Sequence, residues 1–316
     1  MHPSTLLLIV VVSAGAAVVL GHPATTNTLA AQFWQKALPG TTMPDAIADL
    51  VKNGIDHSPL VEHYSAPPSI SVCIMFNSAC NPLTVAETGI FFHEAQLRPG
   101  SAMTLSFPAE AETAILPHGV AEKVPFGNLG DVLATFNIPA GSAEATQVRD
   151  TLSRCQEPPV AGEVKSCTTS LESTVRSAMD MLGTVVNDGG QQGVWAATSE
   201  LPRGGLPRQP YVVQGVAPLD GERYVSCHKV PFPYAVYQCH IAGTMGYRAY
   251  VVSLSGLRGG GRPAASMLAF CHVDTSSWNP AHPAFEILNT RPGGSPVCHF
   301  MPYGDLAFVK KAGRAY

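Results

Sequence analysis

The sequence contains few charged residues, and it lacks the basic stretches of nucleic-acid-binding proteins. Charged residues make up 13% of the 316-residue chain, against about 25% in an average globular protein. Basic residues number 19 and acidic residues 23, with no long run of lysine or arginine. This balance argues against binding to nucleic acid, which depends on phosphate neutralisation. A hydrophobic content of 46% also excludes a disordered chain.

Signatures of common hydrolases and nucleotide-binding enzymes are absent as well. The chain contains no Gly-x-Ser-x-Gly, no His-Glu-x-x-His and no phosphate-binding loop, so the usual serine-nucleophile, zinc-protease and P-loop chemistries are not expected. No Asn-x-Ser/Thr sequence occurs, and N-glycosylation is therefore not predicted.

One long apolar run is present, at the N-terminus. Residues 6–20 (LLLIVVVSAGAAVVL) are apolar or small, and the run is shorter than the roughly 20 residues of a spanning helix. Its length is typical of a signal-peptide core. We therefore predict that residues 1–21 are a signal peptide, that His22 begins a secreted mature chain, and that no membrane segment remains after cleavage. An uncleaved anchor is the alternative.

Export places the eight cysteines in an oxidising compartment, where an even number predicts disulfide bonds. Cys73 and Cys80 lie in a Pro- and Ser-rich stretch, which we interpret as a linker closed by a local disulfide. Residues 22–88 are accordingly assigned to an N-terminal segment and linker. Pro44 and Gly54 are expected to begin and end a short helix within it.

From residue 89 onward, short apolar runs alternate with turn residues. Runs rich in Val, Tyr, Phe and Ile predict strands; they are GIFF, AMTLSF, RYVSCHKV, YAVYQCHI, RAYVVSL, SMLAFCHV, FEILN and PVCHF. Residues 143–155 and 169–182 have helical patterns, the second with a Ser/Thr-rich start suited to capping. The predicted fold class is mainly β with a few helices (α+β), in one domain over residues 89–312.

Four cysteines in the last third of the chain are each followed by histidine. The pairs are Cys227-His228, Cys239-His240, Cys271-His272 and Cys298-His299. Each pair lies in or beside a predicted strand, on which neighbouring side chains point to opposite faces. One face would then collect four sulfurs that form two disulfides, and the other up to four neutral imidazoles. All-imidazole sites suit Cu(II), Zn and Ni, and tetragonal nitrogen ligation favours Cu(II).

Two other interpretations of these pairs stay open. In the first, the cysteines are structural disulfides and the histidines are polar partners on a half-buried surface. In the second, the pairs form a thiolate zinc finger, whose ligands usually come in tight Cys-x₂₋₄-Cys and His-x₃₋₅-His sets. Gaps of 10, 30 and 25 residues between the pairs argue against the zinc finger.

The chain resembles the plant BURP-domain family, which is defined by a Phe-Phe near the start of the domain and four spaced Cys-His pairs. Phe91 and Phe92 provide the first landmark, and ILPHGVAEKVPF, GEVKSCTTSLES, PYAVYQCH and CHVDTSSWNPAH follow in order. The upstream FWQKALPGTTMPDAIADLV resembles the N-terminal segment of the dehydration-responsive and anther branches. The second spacer is longer than is usual in the family, an excess that we place in the glycine-rich SGLRGGGRP.

The resemblance implies a β-rich BURP domain held together by disulfides. Some members of the family are autocatalytic, copper-dependent peptide cyclases, so copper is the implied cofactor. The residues carried over as copper ligands are His228, His240, His272 and His299. Those carried over as disulfide cysteines, with partners unassigned, are Cys227, Cys239, Cys271 and Cys298. Cys155 and Cys167 are expected to pair with each other.

The preferred interpretation of function is a secreted, non-enzymatic protein of the cell wall or apoplast. The resemblance implies a structural or interaction role in development (anther, pollen or seed) or in stress response, with a wall polysaccharide or wall protein as partner. One alternative is a copper- and dioxygen-dependent cyclase that acts on its own chain, for which Trp195 and Tyr211 are the candidate substrate residues. Against it, the chain has no repeated core peptide. A second alternative is a non-catalytic partner of polygalacturonase or pectin.

Overall fold

The computed structural model describes residues 28–56, 64, 82–107, 109, 114–184, 193–242, 246–257 and 263–311. The predicted signal peptide, Cys73 and Cys80 lie outside the described residues, so the predictions on them are not tested. Within the described ranges, none of the helices combines the length and the hydrophobicity that a bilayer crossing requires.

Helices dominate the first half of the described chain and strands the second. Up to residue 200 the elements are α1 (Leu29–Ala37), α2 (Asp45–Asp56), α3 (Pro82–Thr88), β1 (Phe91–Phe92), β2 (Ala102–Phe107), α4 (His118–Ala121), α5 (Leu129–Thr135), α6 (Ala143–Gln156), β3 (Glu163–Thr168), α7 (Leu171–Met181) and β4 (Val194–Ala197). They are followed by β5 (Leu206–Pro218), β6 (Arg223–Val230), β7 (Val236–Ala242), β8 (Tyr247–Gly256), β9 (Pro263–His272), α8 (Pro283–Ile287), β10 (Val297–Phe300) and β11 (Leu306–Lys310).

The strands of the described residues form two antiparallel sheets. The six-stranded sheet has the order β1-β10-β9-β8-β5-β2, and the five-stranded sheet has the order β3-β7-β6-β11-β4. Strands β6, β7, β9 and β10, which carry the Cys-His pairs, are therefore divided equally between the two sheets. The predicted fold class, mainly β with helices, is confirmed.

The two sheets share buried apolar contacts near β9 and β11. Phe270 of β9 belongs to the same buried cluster as Ala307 and Val309 of β11. The chain crosses from one sheet to the other in the short connection between Phe300, where β10 ends, and Leu306, where β11 begins. Because β11 pairs with β6, this connection brings the end of β10 close to β6.

Helices α1 and α2 pack against the five-stranded sheet. Trp34 is fully buried, and its Nε1 donates a hydrogen bond to the carbonyl oxygen of Thr41 at 2.9 Å. Trp34 and Ile47 share a buried cluster with Val175 of α7 and Phe308 of β11. Helices α1 and α2 of the N-terminal segment thus contribute to the core of this sheet.

Helix α2 continues to Asp56. The prediction that it ends at Gly54 is therefore wrong. A Cβ added at Gly54 would lie 1.8 Å from the carbonyl oxygen of Ile115. The backbone N–H of Ile115 donates to the carbonyl oxygen of Leu50 at 2.8 Å, which holds the two segments together. Glycine is therefore required here for a close backbone approach rather than for termination of the helix.

The predicted strand FEILN is wrong, because its residues belong largely to helix α8. His282 caps this helix by accepting the N–H of Ala284, and Pro283 occupies the first turn, where proline is favoured. Strands β3, β5 and β11 were not predicted. Glu163 and Lys165 interrupt the apolar pattern of β3, and two prolines interrupt that of β5.

Candidate metal centre

The four Cys-His pairs lie on neighbouring strands, two in each sheet. In the five-stranded sheet, Cys227 of β6 is directly opposite Cys239 of β7 and forms a disulfide with it. In the six-stranded sheet, Cys271 of β9 and Cys298 of β10 are arranged in the same way. Because side chains alternate along a strand, the two histidines of each sheet project from the face opposite its disulfide.

The histidine-bearing faces of the two sheets meet. Ring centroids of His228 and His240 in the five-stranded sheet are 5.4 Å apart, as are those of His272 and His299 in the six-stranded sheet. Between the sheets, 5.5 Å separates His228 from His299, and 6.3 Å separates His240 from His272. The structure thus brings all four predicted residues together in what we call the histidine cluster.

Two carboxylates bind the δ nitrogens of the histidines in the five-stranded sheet. Oδ2 of Asp305 lies 2.8 Å from Nδ1 of His228, and Oε1 of Glu163 lies 2.7 Å from Nδ1 of His240. Since an ionised carboxylate only accepts hydrogen bonds, Nδ1 of each histidine carries the proton. Nε2 is left with its lone pair, an arrangement typical of histidines that bind metals.

The histidines of the six-stranded sheet are held differently. Nδ1 of His299 donates to the carbonyl oxygen of Phe300 at 3.1 Å, and its Nε2 lies 3.3 Å from Nε2 of His272.

In the five-stranded sheet, Nε2 of His228 is buried and has no hydrogen-bond partner among the described residues. Because buried polar atoms normally have partners, this nitrogen is a candidate ligand atom.

Burial keeps three members of the cluster neutral. Desolvation, reinforced by repulsion from neighbouring histidines, lowers the pKa of His228, His272 and His299 well below the usual value. Burial acts to raise the pKa of Glu163, but its hydrogen bond to His240 and nearby positive charge outweigh this effect and lower it. The cluster therefore combines neutral imidazoles with an ionised supporting carboxylate.

The donor atoms of the cluster fit an ion that prefers nitrogen ligands, such as Cu(II), Zn or Ni. When two imidazoles bind one ion at about 2.0–2.1 Å, their two ligand nitrogens are at most about 4.2 Å apart. Nε2 of His272 and Nε2 of His299, 3.3 Å apart, meet this limit. Among the residues described, no three His, Cys, Asp or Glu side chains are already gathered into a metal-binding group. The cluster is therefore wider than a closed ligand set.

A cavity of about 150 Å³ borders the histidine cluster. Its lining includes three of the four histidines and several charged and polar side chains; the residues are Arg154, Glu157, Pro158, Val160, Glu163, Lys165, Gln238, His240, His272, Trp278, Asn279, His282 and His299. Helix α6 and strand β3 contribute its charged side and are joined by the disulfide between Cys155 and Cys167, the pairing expected above.

Aromatic side chains cover the part of the cluster that belongs to the six-stranded sheet. The rings of Trp278 and His272 are 4.6 Å apart, and His282 lies 4.7 Å from Trp278 and 5.5 Å from Phe91. Phe91 also pairs with His299 in the register of β1 and β10. Phe91 was predicted only as a family landmark, alongside Phe92, and the contacts of Trp278 and His282 were not predicted.

Sequence reasoning also missed four further residues that touch the site. Asp305 and Glu163 bind histidines, and the hydroxyl of Tyr247 lies 3.0 Å from Nδ1 of His240. Gln238 lines the cavity. Only Gln238 had a usable signal, since it stands two residues before His240 and strand alternation places both on one face.

The two candidate substrate residues lie apart from the cavity lining. Trp195 on β4 is partly exposed and donates its indole N–H to the carbonyl oxygen of Asp220 at 3.2 Å. Tyr211 on β5 is fully buried, and its hydroxyl donates to the carbonyl oxygen of Pro207 at 2.9 Å. The structure does not bring either residue to the histidine cluster.

Comparison with known proteins identifies the family. Residues 90–310 match the BURP domain. This chain belongs to the BURP-domain family. The match includes both sheets, the four Cys-His pairs and the three disulfides that join described residues.

Curated relatives of this BURP-domain chain come from several plants. The chain is 43% identical over 260 residues to BURP domain-containing protein 13 of Oryza sativa subsp. japonica. The aligned region covers 81% of this chain and 61% of that protein. It is 43% identical over 233 residues to Protein RAFTIN 1A of Triticum aestivum, with coverages of 72% and 57%. For BURP domain protein RD22 of Arabidopsis thaliana the identity is 40% over 224 residues, with coverages of 68% and 54%. The chain thus spans less than two thirds of the length of these relatives.

Proposed function

We propose that this BURP-domain protein is exported, binds a copper ion through the histidine cluster, and has a structural or interaction role in the plant cell wall or apoplast during development or stress response. The convergence of four imidazoles from two sheets is the observation that carries the copper site. Export is supported by the N-terminal apolar run and by three disulfides among the described residues, since disulfides persist in oxidising compartments.

His228, His240, His272 and His299 would hold the ion. Copper, when bound, supplies one-electron chemistry and reactivity toward dioxygen. The protein's own contribution is to keep the imidazoles neutral by burial and to orient two of them through Asp305 and Glu163. The two disulfides behind the cluster keep the strands of each histidine pair in register.

A second candidate function is copper- and dioxygen-dependent cyclisation of the protein's own chain. It is favoured by the cavity of about 150 Å³ that three of the four histidines line, because such a cavity gives a side chain access to the metal. We rank it second because Trp195 and Tyr211 do not line that cavity.

Copper binding is tested on the secreted full-length protein after treatment with a chelator. Titration with Cu(II), followed by elemental analysis and electron paramagnetic resonance, should give a single copper ion with nitrogen ligands. His228→Ala and His299→Ala should each weaken binding, whereas His118→Ala, at a half-exposed histidine of α4, should not. Absence of bound copper, or equal loss in all three variants, would overturn the proposal.

A peptide-mass map after aerobic incubation with Cu(II), reduction and alkylation distinguishes the two roles. Unmodified masses throughout are expected for a structural or interaction protein. A peptide that is lighter by two hydrogens only when copper and dioxygen are both supplied would instead establish self-modification. Recovery of the protein in apoplastic washes tests its location, and retention inside the cell would contradict the proposed export.

A further inference from the structure

Gln238 of β7, beside the histidine cluster, has a buried amide oxygen without a hydrogen-bond partner among the described residues. Gln238 is only 7% exposed. Oε1 of its side chain has no hydrogen-bond partner within the described part of the chain. Burial of an amide oxygen without a partner is unfavourable, and most such atoms in folded proteins are paired. The amide oxygen is therefore available to a ligand that accepts an electron pair.

Strand register places Gln238 on the same face as the histidines. It is directly opposite His228 on β6, and directly opposite residues of an antiparallel pair share a face. It also stands two positions before His240 on β7, which gives the same face by alternation. Both relationships agree with its position in the lining of the cavity, next to His240, His272 and His299.

Gln238 and His228, which are opposite each other on β7 and β6, each present a buried atom that can donate an electron pair. The Nδ1–H of His228 is used by Asp305, so Nε2 of His228 carries a lone pair, and it too is buried without a hydrogen-bond partner among the described residues. Neither this nitrogen nor an amide oxygen carries a hydrogen. These two atoms cannot form a hydrogen bond with each other, whereas a cation is a suitable partner for either.

We propose that Gln238 is a further ligand of the ion, and that its Oε1 adds an oxygen donor to the four imidazoles. This inference rests on the copper site proposed above. Glutamine oxygen serves as a weak axial ligand in copper proteins, where the axial ligand tunes the reduction potential. Gln238 accordingly sets the potential and the spectrum of the site more than its affinity.

The test compares Gln238→Leu and Gln238→Glu with the wild type in the full secreted chain. Leucine removes the oxygen at similar volume, whereas glutamate keeps an oxygen and adds charge without changing size. Gln238→Leu should shift the g and copper hyperfine values of the Cu(II) resonance, raise the reduction potential and raise the Kd for Cu(II) by about tenfold. Gln238→Glu should lower the potential, because an anionic oxygen stabilises Cu(II) over Cu(I).

Gln147 of α6 provides a matched control. Its Oε1 is likewise buried without a hydrogen-bond partner among the described residues, but it is not part of the cavity lining. Gln147→Leu should leave the resonance, the potential and the Kd at wild-type values. In metal-free protein, both leucine variants should melt at or above the wild-type temperature, because each removes an unsatisfied amide.

The outcomes separate this inference from the proposed function. Failure of the wild type to bind copper would overturn the copper site itself. Copper binding with a resonance and potential that stay unchanged in both Gln238 variants would overturn only the role of Gln238. An unchanged resonance combined with a lower melting temperature of metal-free Gln238→Leu would assign the amide a structural hydrogen bond, which also overturns its role as a ligand.

Discussion

Asp305 accepts a hydrogen bond from Nδ1 of His228 at 2.8 Å, although the two residues are 77 positions apart in the sequence. Both side chains are fully buried. The other oxygen of Asp305 accepts the backbone N–H of Lys229 at 2.9 Å. The connection between β10 and β11 therefore fixes a histidine of β6, and with it one member of the histidine cluster.

Replacement of Asp305 by alanine should weaken both the fold and the proposed copper site. Two buried donors lose their acceptor, so we expect the free energy of unfolding to fall by about 2–3 kcal/mol. The Kd for Cu(II) should rise by about 10–100-fold, because the partner that orients His228 is lost. Urea unfolding and copper titration measure the two effects, with Asp180→Ala at an exposed position of α7 as control. Wild-type copper affinity in Asp305→Ala would contradict the role of this carboxylate.

The stability of metal-free protein should decrease as the pH falls below the ordinary histidine range. Burial lowers the pKa of His228, His272 and His299 in the native protein, whereas in the unfolded chain it is about 6.5. Below that pH the unfolded chain binds protons that the native protein excludes. Each histidine thus contributes a loss of stability that approaches about 1.4 kcal/mol per pH unit below about pH 6.5 and is absent well above that pH.

Urea unfolding of chelator-treated protein at a series of pH values measures this dependence. His299→Phe should have a shallower slope than the wild type, because one proton-binding group is removed from the unfolded chain. His118→Ala removes a half-exposed histidine and should keep the wild-type slope. Identical slopes in all three proteins would show that the buried histidines do not control the acid sensitivity.

Removal of individual disulfides should separate stability from copper binding. The bond between Cys155 and Cys167 joins α6 to β3, whereas that between Cys271 and Cys298 joins two strands that each carry a histidine of the cluster. Paired replacement by alanine should lower the free energy of unfolding by about 3 kcal/mol in either case. Only the Cys271→Ala/Cys298→Ala protein should also lose copper affinity in titration. Equal affinity losses in both proteins would contradict this assignment.

Gly54→Ala should destabilise the protein even though alanine favours helix formation. The added methyl group would lie 1.8 Å from the carbonyl oxygen of Ile115, and relief of that clash must shift α2 or its neighbour. We expect a loss of about 1–3 kcal/mol. Gly119→Ala in α4 meets no atom within 4 Å and should be neutral or slightly stabilising, as thermal unfolding of both variants can measure.

Local sequence patterns were sufficient for the features that depend on neighbouring residues. Strand alternation predicted sulfurs on one face and imidazoles on the other, because successive side chains of any strand point in opposite directions. It did not reveal that Cys227 pairs with Cys239 and Cys271 with Cys298, since that depends on which strands are adjacent. FEILN was predicted wrongly because its apolar pattern does not show that His282 and Pro283 begin a helix there.

The sequence by itself determined the BURP family, the mainly β class and the four histidines that form the candidate metal centre, since all three are expressed in residue type and spacing. Only the tertiary structure decided that those histidines meet across two sheets, and that Asp305 and Glu163 join them. The physical reason is that these contacts depend on strand order and on the connection between β10 and β11. They join segments that are distant in the chain, and no periodicity within one segment encodes such contacts.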